Sequence, residues 1–363
     1  MLTRTFHSST FEAGLTITAP TIAVAIVAPF IGRLADRLGF RRVILLSAWA
    51  LTLATLLAST SQNLHQLIGW RFVQGIATPG IFGSAVAYIH EVWPPSRAGR
   101  ATASYMTGTI LGGFTGRAVS GIVAADVSWQ ASFVVLAILT GLVAVALTIW
   151  LPREPAKHGA EGAKSGGSVA HLFRNRRLLA TCGVGFSVLF TQVAMFTYVT
   201  FHLAAPPFSL STVALGWLFV VYLVGAVVTP FAGHWIDRYG HRAGIASAMA
   251  LGGAGALLTL VSWLPAIVAG LALCATGVFT AQATTSSYIG AVTAKDRGVA
   301  VGMYSTFYYA GGSTGGALPS IFWTTGGWTA CVLLVVVVQL VGVAIAFTQW
   351  SPAETHHDVV LPD

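Results

Sequence analysis

GRLADRLGFRR, residues 32–42, places five charged residues in eleven positions of a chain that is only 8% charged. It lies between two long apolar runs. Its Gly, Asp-Arg, Gly, Arg spacing returns 201 residues later in GHWIDRYGHR, residues 233–242. A charged turn written twice in register marks a duplicated unit.

The runs around the turn set the class. Of the 363 residues, 55% are hydrophobic, and the mean hydropathy is +0.76. A soluble domain carries about 25% charged residues to wet its surface, so this composition reads as an integral membrane protein. The formal net charge of +8 sits in short loops between apolar runs. It therefore argues for membrane topology, not for nucleic acid. Cys182, Cys274 and Cys331 lie inside apolar runs, with neither metal-ligand spacing nor a disulfide framework, and read as small buried hydrophobes.

Eleven segments are long enough to span a bilayer: roughly 13–31, 43–60, 67–89, 101–124, 130–151, 178–201, 212–232, 243–262, 265–289, 299–322 and 328–349. None alternates with period two, and lipid offers no partner to an open strand edge, so the spans are predicted as helices. Alternate loops hold sixteen of the nineteen Lys and Arg residues. Those loops are assigned to the cytoplasmic side, which places the C-terminal tail there too. Trp93, Trp150, Trp235 and Trp350 fall at inner ends and Trp70, Trp129, Trp263, Trp323 and Trp328 at outer ends, which suits the headgroup layer. The Gly-, Ala- and Lys-rich stretch 152–177 reads as a flexible cytoplasmic loop ending in the basic piece LFRNRR. The expected units are a first half-bundle at 1–151, this loop, a second half-bundle at 178–350 and a tail at 351–363.

Further repeats support the division. FHSSTFEAG (6–14) parallels FSLSTVALG (208–216), and GGFTG (112–116) parallels GGSTG (311–315). Tyr105 pairs with Tyr304 and Trp129 with Trp328, both 199 apart. The chain reads as two homologous parallel halves. The second half has a helix, 178–201, whose counterpart falls upstream of Met1, so the first half is expected to lack its first helix.

The two-half plan with its paired charged turns resembles the major facilitator superfamily over essentially the whole chain. RFVQG (71–75) resembles the family's fourth-helix motif. GTILGGFTGR (108–117) resembles its Gly-rich antiporter motif, although Gly113 replaces the usual proline and Arg117 the second glycine. The resemblance is closest to the efflux permeases of the superfamily. It implies a fold of two helical bundles, about eleven spans as written against twelve in the family, working as a monomer.

The motifs define candidate residues. In the turns, Gly32, Asp36, Arg37, Gly39 and Arg41, with Gly233, Asp237, Arg238, Gly240 and Arg242, are expected to latch the bundles together in one state and release them in another. Gly32 would permit close helix approach, Gly39 a left-handed reversal, and Asp36 a cap or a pair with Arg41. The bland reading is a basic loop that only sets topology. Arg71 and Gln74, with Gly75 behind them, and Arg117 are candidates for substrate or proton handling. The alternatives are snorkelling of Arg71 and pairing of Arg117 near Asp126. Gly108, Gly112 and Gly116, with Gly311 and Gly315, form candidate packing seams.

Gln192, Tyr198, Trp217, Tyr222, Gln282, Tyr304, Phe307 and Tyr308 are candidates to line a substrate path. Glu12, at an outer helix end, is a weak candidate proton carrier, because none of the eleven acidic residues lies in the middle of a span. The intramembrane charges are positive, which favours anionic or neutral substrates. No phosphate-binding G-x-x-x-x-G-K-[ST] run occurs, and no converging catalytic groups point to an enzyme. No cofactor or metal is expected. The function expected is a secondary transporter, proton-coupled and exporting a small molecule. The alternatives are an uptake symporter for an organic anion or sugar-like solute, or a truncated remnant that does not transport.

Overall fold

The computed structural model describes residues 6, 9–153, 174–292 and 297–350. The side chains of several helical positions, Asp36, Gly233 and Asp237 among them, fall outside that description, as does most of the central loop. The described residues form helices and no strand. The first half holds α1 (Thr10–Leu38), α2 (Phe40–Ala58), α3 (Leu64–Val92), α4 (Pro95–Asp126) and α5 (Trp129–Trp150). The second holds α6 (Arg176–Ala204), the short α7 (Thr212–Trp217), α8 (Val221–Leu258), α9 (Leu264–Val292), α10 (Arg297–Ala317) and α11 (Pro319–Gln349).

Local chemistry sets the boundaries. Ser9, Asn63, Ser128, Asn175 and Ser211 each accept a first-turn N–H at a helix start. This satisfies donors that would otherwise be orphaned at a membrane helix end. Gly240 and Gly327 interrupt α8 and α11 with positive φ, so the chain reverses at both. With these breaks counted, the described helices match the eleven expected segments. Seven helices are long and apolar enough on their own to cross a membrane. The others are shortened by these breaks or rich in Gly, Ser, Thr and Tyr, as α4 and α10 are.

The duplication is structural as well as written. α3 and α9 begin and end at positions 200 apart. Gly39 has φ 86°, ψ 145° and Gly240 has φ 81°, ψ 165°. Gly39 has the left-handed φ expected of it, and Gly240 shares it. Both take a positive φ with an extended ψ, a combination essentially confined to glycine, and it turns the chain from one span into the next.

Packing differs between the halves. α6 runs through the middle of its bundle against α9, α10 and α11, and 72% of its spanning window is buried. One continuous core surrounds it, with Leu178, Phe190, Met195, Tyr198 and Leu203 fully buried. Among the described residues of the first half no helix takes that place. Its buried apolar residues form two small clusters, one around Leu67 and Trp129 and one around Ile31 and Val43. In lipid such cores hold by van der Waals fit more than by expulsion of water, so the helix that fills the centre decides how well a bundle is packed.

Candidate functional site at the bundle interface

The halves meet along two helix pairs, α1 with α10 and α4 with α7–α8. Each crossing is built on a glycine. A Cβ on Gly14 would lie 2.6 Å from the carbonyl oxygen of Gly316, and one on Gly216 would lie 3.2 Å from that of Arg117. In repeat terms Gly14 corresponds to Gly216 and Gly316 to Arg117, so the contacts are equivalent across a pseudo-twofold axis. Gly121 reinforces the second, its Cβ position 3.1 Å from the Cα of Gly216. Polar links join the first: Thr18 donates to the Ser313 carbonyl (3.1 Å) and Ser313 to the Thr21 hydroxyl (3.0 Å). These crossings lie away from the charged turns.

Arg71 sits two turns into α3. Its Nε donates to the carbonyl of Thr16 on α1 (3.0 Å), and a terminal N–H donates to Gln74 Oε1 (2.7 Å). Gln74 Nε2 in turn donates to Thr55 Oγ1 on α2 (3.0 Å). The guanidinium thus turns toward Gln74, one turn deeper, the reverse of snorkelling. Behind it Gly75 lies flush against Pro20 of α1, and the absence of a side chain lets α1 and α3 close around the group.

Arg117 of α4 donates to the Gly113 carbonyl (2.9 Å) and lies over the rings of Phe219 (4.8 Å) and Tyr222 (5.5 Å) in the other half. Asp126 is nine residues on, about 13 Å along a helix, and Arg117 turns to the rings instead. Arg71 thus reaches α1 two residues from Gly14 of the first crossing, and Arg117 stands at the second. Tyr222 packs edge-on to Phe196 (4.6 Å) and Phe279 (5.5 Å), and Gln192 approaches its hydroxyl. Tyr304 stacks on Tyr308 at 5.7 Å, and Tyr308 meets Tyr309 edge-on at 5.4 Å. The Tyr105 hydroxyl is buried without a hydrogen-bond partner among the described residues.

Arg117 meets Phe219 and Tyr222 across the interface, with Gln192 beside Tyr222, while Arg71 and Gln74 stand behind α1, and Tyr304 and Tyr308 belong to the core of the second half. The other candidates serve a cap, the crossings or the cores. Glu12 completes a capping box with Ser9, its carboxylate accepting from the Ser9 N–H at 2.9 Å, so this exposed group serves the start of α1. Tyr198 donates to the Gly316 carbonyl at 3.0 Å, bracing the first crossing. Trp217 is 50% exposed beside Phe114. Gln282 is half-buried on α9, and Phe307 packs on the second core.

Two packing expectations are corrected. Among the described residues no heavy atom comes within 4 Å of a Cβ position on Gly32, so no close approach is seen there. Gly108, Gly112 and Gly116 likewise face open space, whereas Gly311 and Gly315 press on the Phe186 and Phe190 carbonyls of α6. The reason is that α6 has no counterpart among the described residues of the first half. Arg41 donates to the carbonyls of Thr148 (3.0 Å) and Leu151 (2.9 Å), and Arg242 donates to that of Trp350. These bonds tie each turn to the end of the last helix of its own bundle. The end of a helix offers unpaired carbonyls and the negative pole of its dipole, and these are the acceptors within reach.

Sequence reading missed Phe219, Thr55 and Tyr309. Phe219 stands one turn before Tyr222, a spacing that would have revealed it. Thr55 looked like one more small residue in an apolar run. Tyr88 and Tyr288, 200 apart, were an unread repeat: Tyr88 donates to the Pro152 carbonyl (2.6 Å) and Tyr288 stacks on Trp350 (4.2 Å).

Comparison with known proteins agrees with this architecture. The Major Facilitator Superfamily profile matches residues 1–213 and 200–360. The uncharacterized MFS-type transporter YybF of Bacillus subtilis is 29% identical over 365 residues, spanning 99% of this chain and 88% of that protein. The inner membrane transport protein YnfM of Escherichia coli K12 is 27% identical, spanning 94% and 84%. The probable multidrug resistance protein EmrY of E. coli K12 is 32% identical over 128 residues, 35% of this chain and 25% of that protein.

Proposed function

The chain belongs to the major facilitator superfamily, and on that premise we propose that this multi-pass membrane transporter exports a small molecule by proton-coupled alternating access. The observation that carries the reading is the pair of equivalent glycine crossings, Gly14 on Gly316 and Gly216 on Arg117. Two bundles joined at twofold-related points can rock about them without breaking either core. Arg71 stands beside the first point and Arg117 at the second, where a solute would be held. Each bundle moves as a unit because Arg41 and Arg242 pin its charged turn to its last helix.

Export is the direction favoured by the resemblance of residues 108–117 to the antiporter motif and by the partial likeness to EmrY. A monomer in the inner membrane, with the basic loops and C-terminal tail in the cytoplasm, fits the distribution of Lys and Arg. Proteoliposomes under an imposed pH gradient test the coupling. Solute flux should follow the gradient and collapse with a protonophore; flux unaffected by it removes proton coupling. Asp36, whose side chain lies outside the described residues, remains part of the proposed latch. Asp36→Asn is expected to abolish transport while membrane insertion stays intact, and normal transport by that variant reduces the turn to a topology signal.

A further inference from the structure

The two arginines at the interface break the repeat. Arg71 corresponds to Leu271, which is fully buried, and Gln74 to Cys274, also fully buried. Arg117 corresponds to Gly316. The same fold is thus built in the second half with apolar or small residues at all three positions, so packing alone does not call for guanidinium groups there. A cation at membrane depth costs about 2.5–3.5 kcal/mol on insertion scales, offset by an opposite charge or by backbone carbonyls, and only the former neutralises it. Among the described residues neither arginine has a carboxylate partner. Two of the Arg71 N–H groups and one of Arg117's are used in hydrogen bonds, all to neutral acceptors. Arg117 is also exposed, and Arg71 is only half-buried. The surroundings of Arg117 are flat and aromatic: the rings of Phe219 and Tyr222.

We propose that the transported solute is an aromatic carboxylate, its anionic group held between Arg71 and Arg117 and its ring against the Phe219–Tyr222 wall. The proposal rests on the transporter reading and adds the substrate class. The two arginines supply the countercharge that an organic anion needs when it leaves water, with fork geometry suited to a carboxylate. The rings supply contact area without demanding one particular solute. A cationic solute would bring a third positive charge into the same low-dielectric space.

Three probes of one shape and different charge test this: benzoate, benzamide and benzylamine. Binding to the purified full chain in detergent is measured by thermal shift and by competition with radiolabelled benzoate; counterflow is measured in proteoliposomes. Benzoate is expected to bind, with benzamide weaker and benzylamine absent. Arg117→Gln, at an exposed position, should weaken benzoate about 10- to 100-fold and leave benzamide unchanged, and Arg117→Lys should restore part of the loss. Benzylamine binding as well as benzoate, binding by none of the three, or an Arg117→Gln protein that is folded and binds benzoate normally overturns the substrate class. Benzoate binding with no counterflow leaves the anion site standing and removes the transporter reading instead.

Discussion

The second bundle has a helix through its middle and the first, among the described residues, does not; most differences between the halves follow from this. Around α6 the second half packs into one core, and Gly311 and Gly315 lie flush on its backbone. The same glycines in the first half, Gly112 and Gly116, meet none of the described residues. A repeated motif can therefore carry the same residues and do different work, because a glycine seam exists only where a second helix meets it. Elsewhere the halves remain equivalent. The turns share one backbone geometry, the arginines share one kind of acceptor, and the crossings share one contact.

That contrast can be broken or sharpened by paired substitutions. The largest difference is expected between Gly315→Leu and Gly116→Leu. The first forces a side chain into the Phe190 backbone, where even a Cβ would stand 2.6 Å from the carbonyl oxygen. It should cost about 3 kcal/mol or more, read as a lower melting temperature of the detergent-solubilised protein. Gly116→Leu should leave the melting temperature unchanged or raise it, since leucine is the better helix former. Equal losses would mean that the open face is filled in the folded protein.

The crossings come next. Gly14→Ala and Gly216→Ala should each cost about 1–3 kcal/mol and slow transport by similar factors, because both sit at equivalent points. A large effect from one and none from the other would show that the pseudo-twofold does not govern movement. Smaller still, Arg41→Gln and Arg242→Gln should each lose about 1 kcal/mol from a helix C-terminal contact, with melting temperatures that fall together. The smallest effect is expected at Glu12. Glu12→Gln keeps a side-chain acceptor for the Ser9 N–H, so stability should change by less than about 0.5 kcal/mol and transport should not change. A loss of proton-driven flux in that variant would return Glu12 to the proton path.

Much of the architecture could be read before any coordinates. Helical spans and the paired turns follow from apolar length, loop charge and spacing. So does the alignment of Trp129 with Trp328, each 6% exposed at its place in the bundle. The site was legible only in part. Arg71, Gln74 and Arg117 stood out because charge and polarity are costly at membrane depth. Which rings they meet was not legible, because an aromatic in an apolar run looks the same whether it faces lipid, core or interface. The acceptors of Arg41 and Arg242 were invisible for a related reason: they are backbone carbonyls more than a hundred residues away, and a backbone carbonyl carries no sequence signal.

By itself the sequence determined that this is a helical membrane protein of two related halves, with charged turns at one end and positive charge inside. Those properties depend on composition, period and repeat spacing, which are local along the chain. Only the tertiary structure decided that Gly14 and Gly216 form the crossings, that Gly112 and Gly116 do not pack, and that Arg117 lies on Phe219 and Tyr222. Each depends on which helix comes to lie beside which, and in a bilayer, where every helix is apolar, close fit between particular surfaces makes that choice.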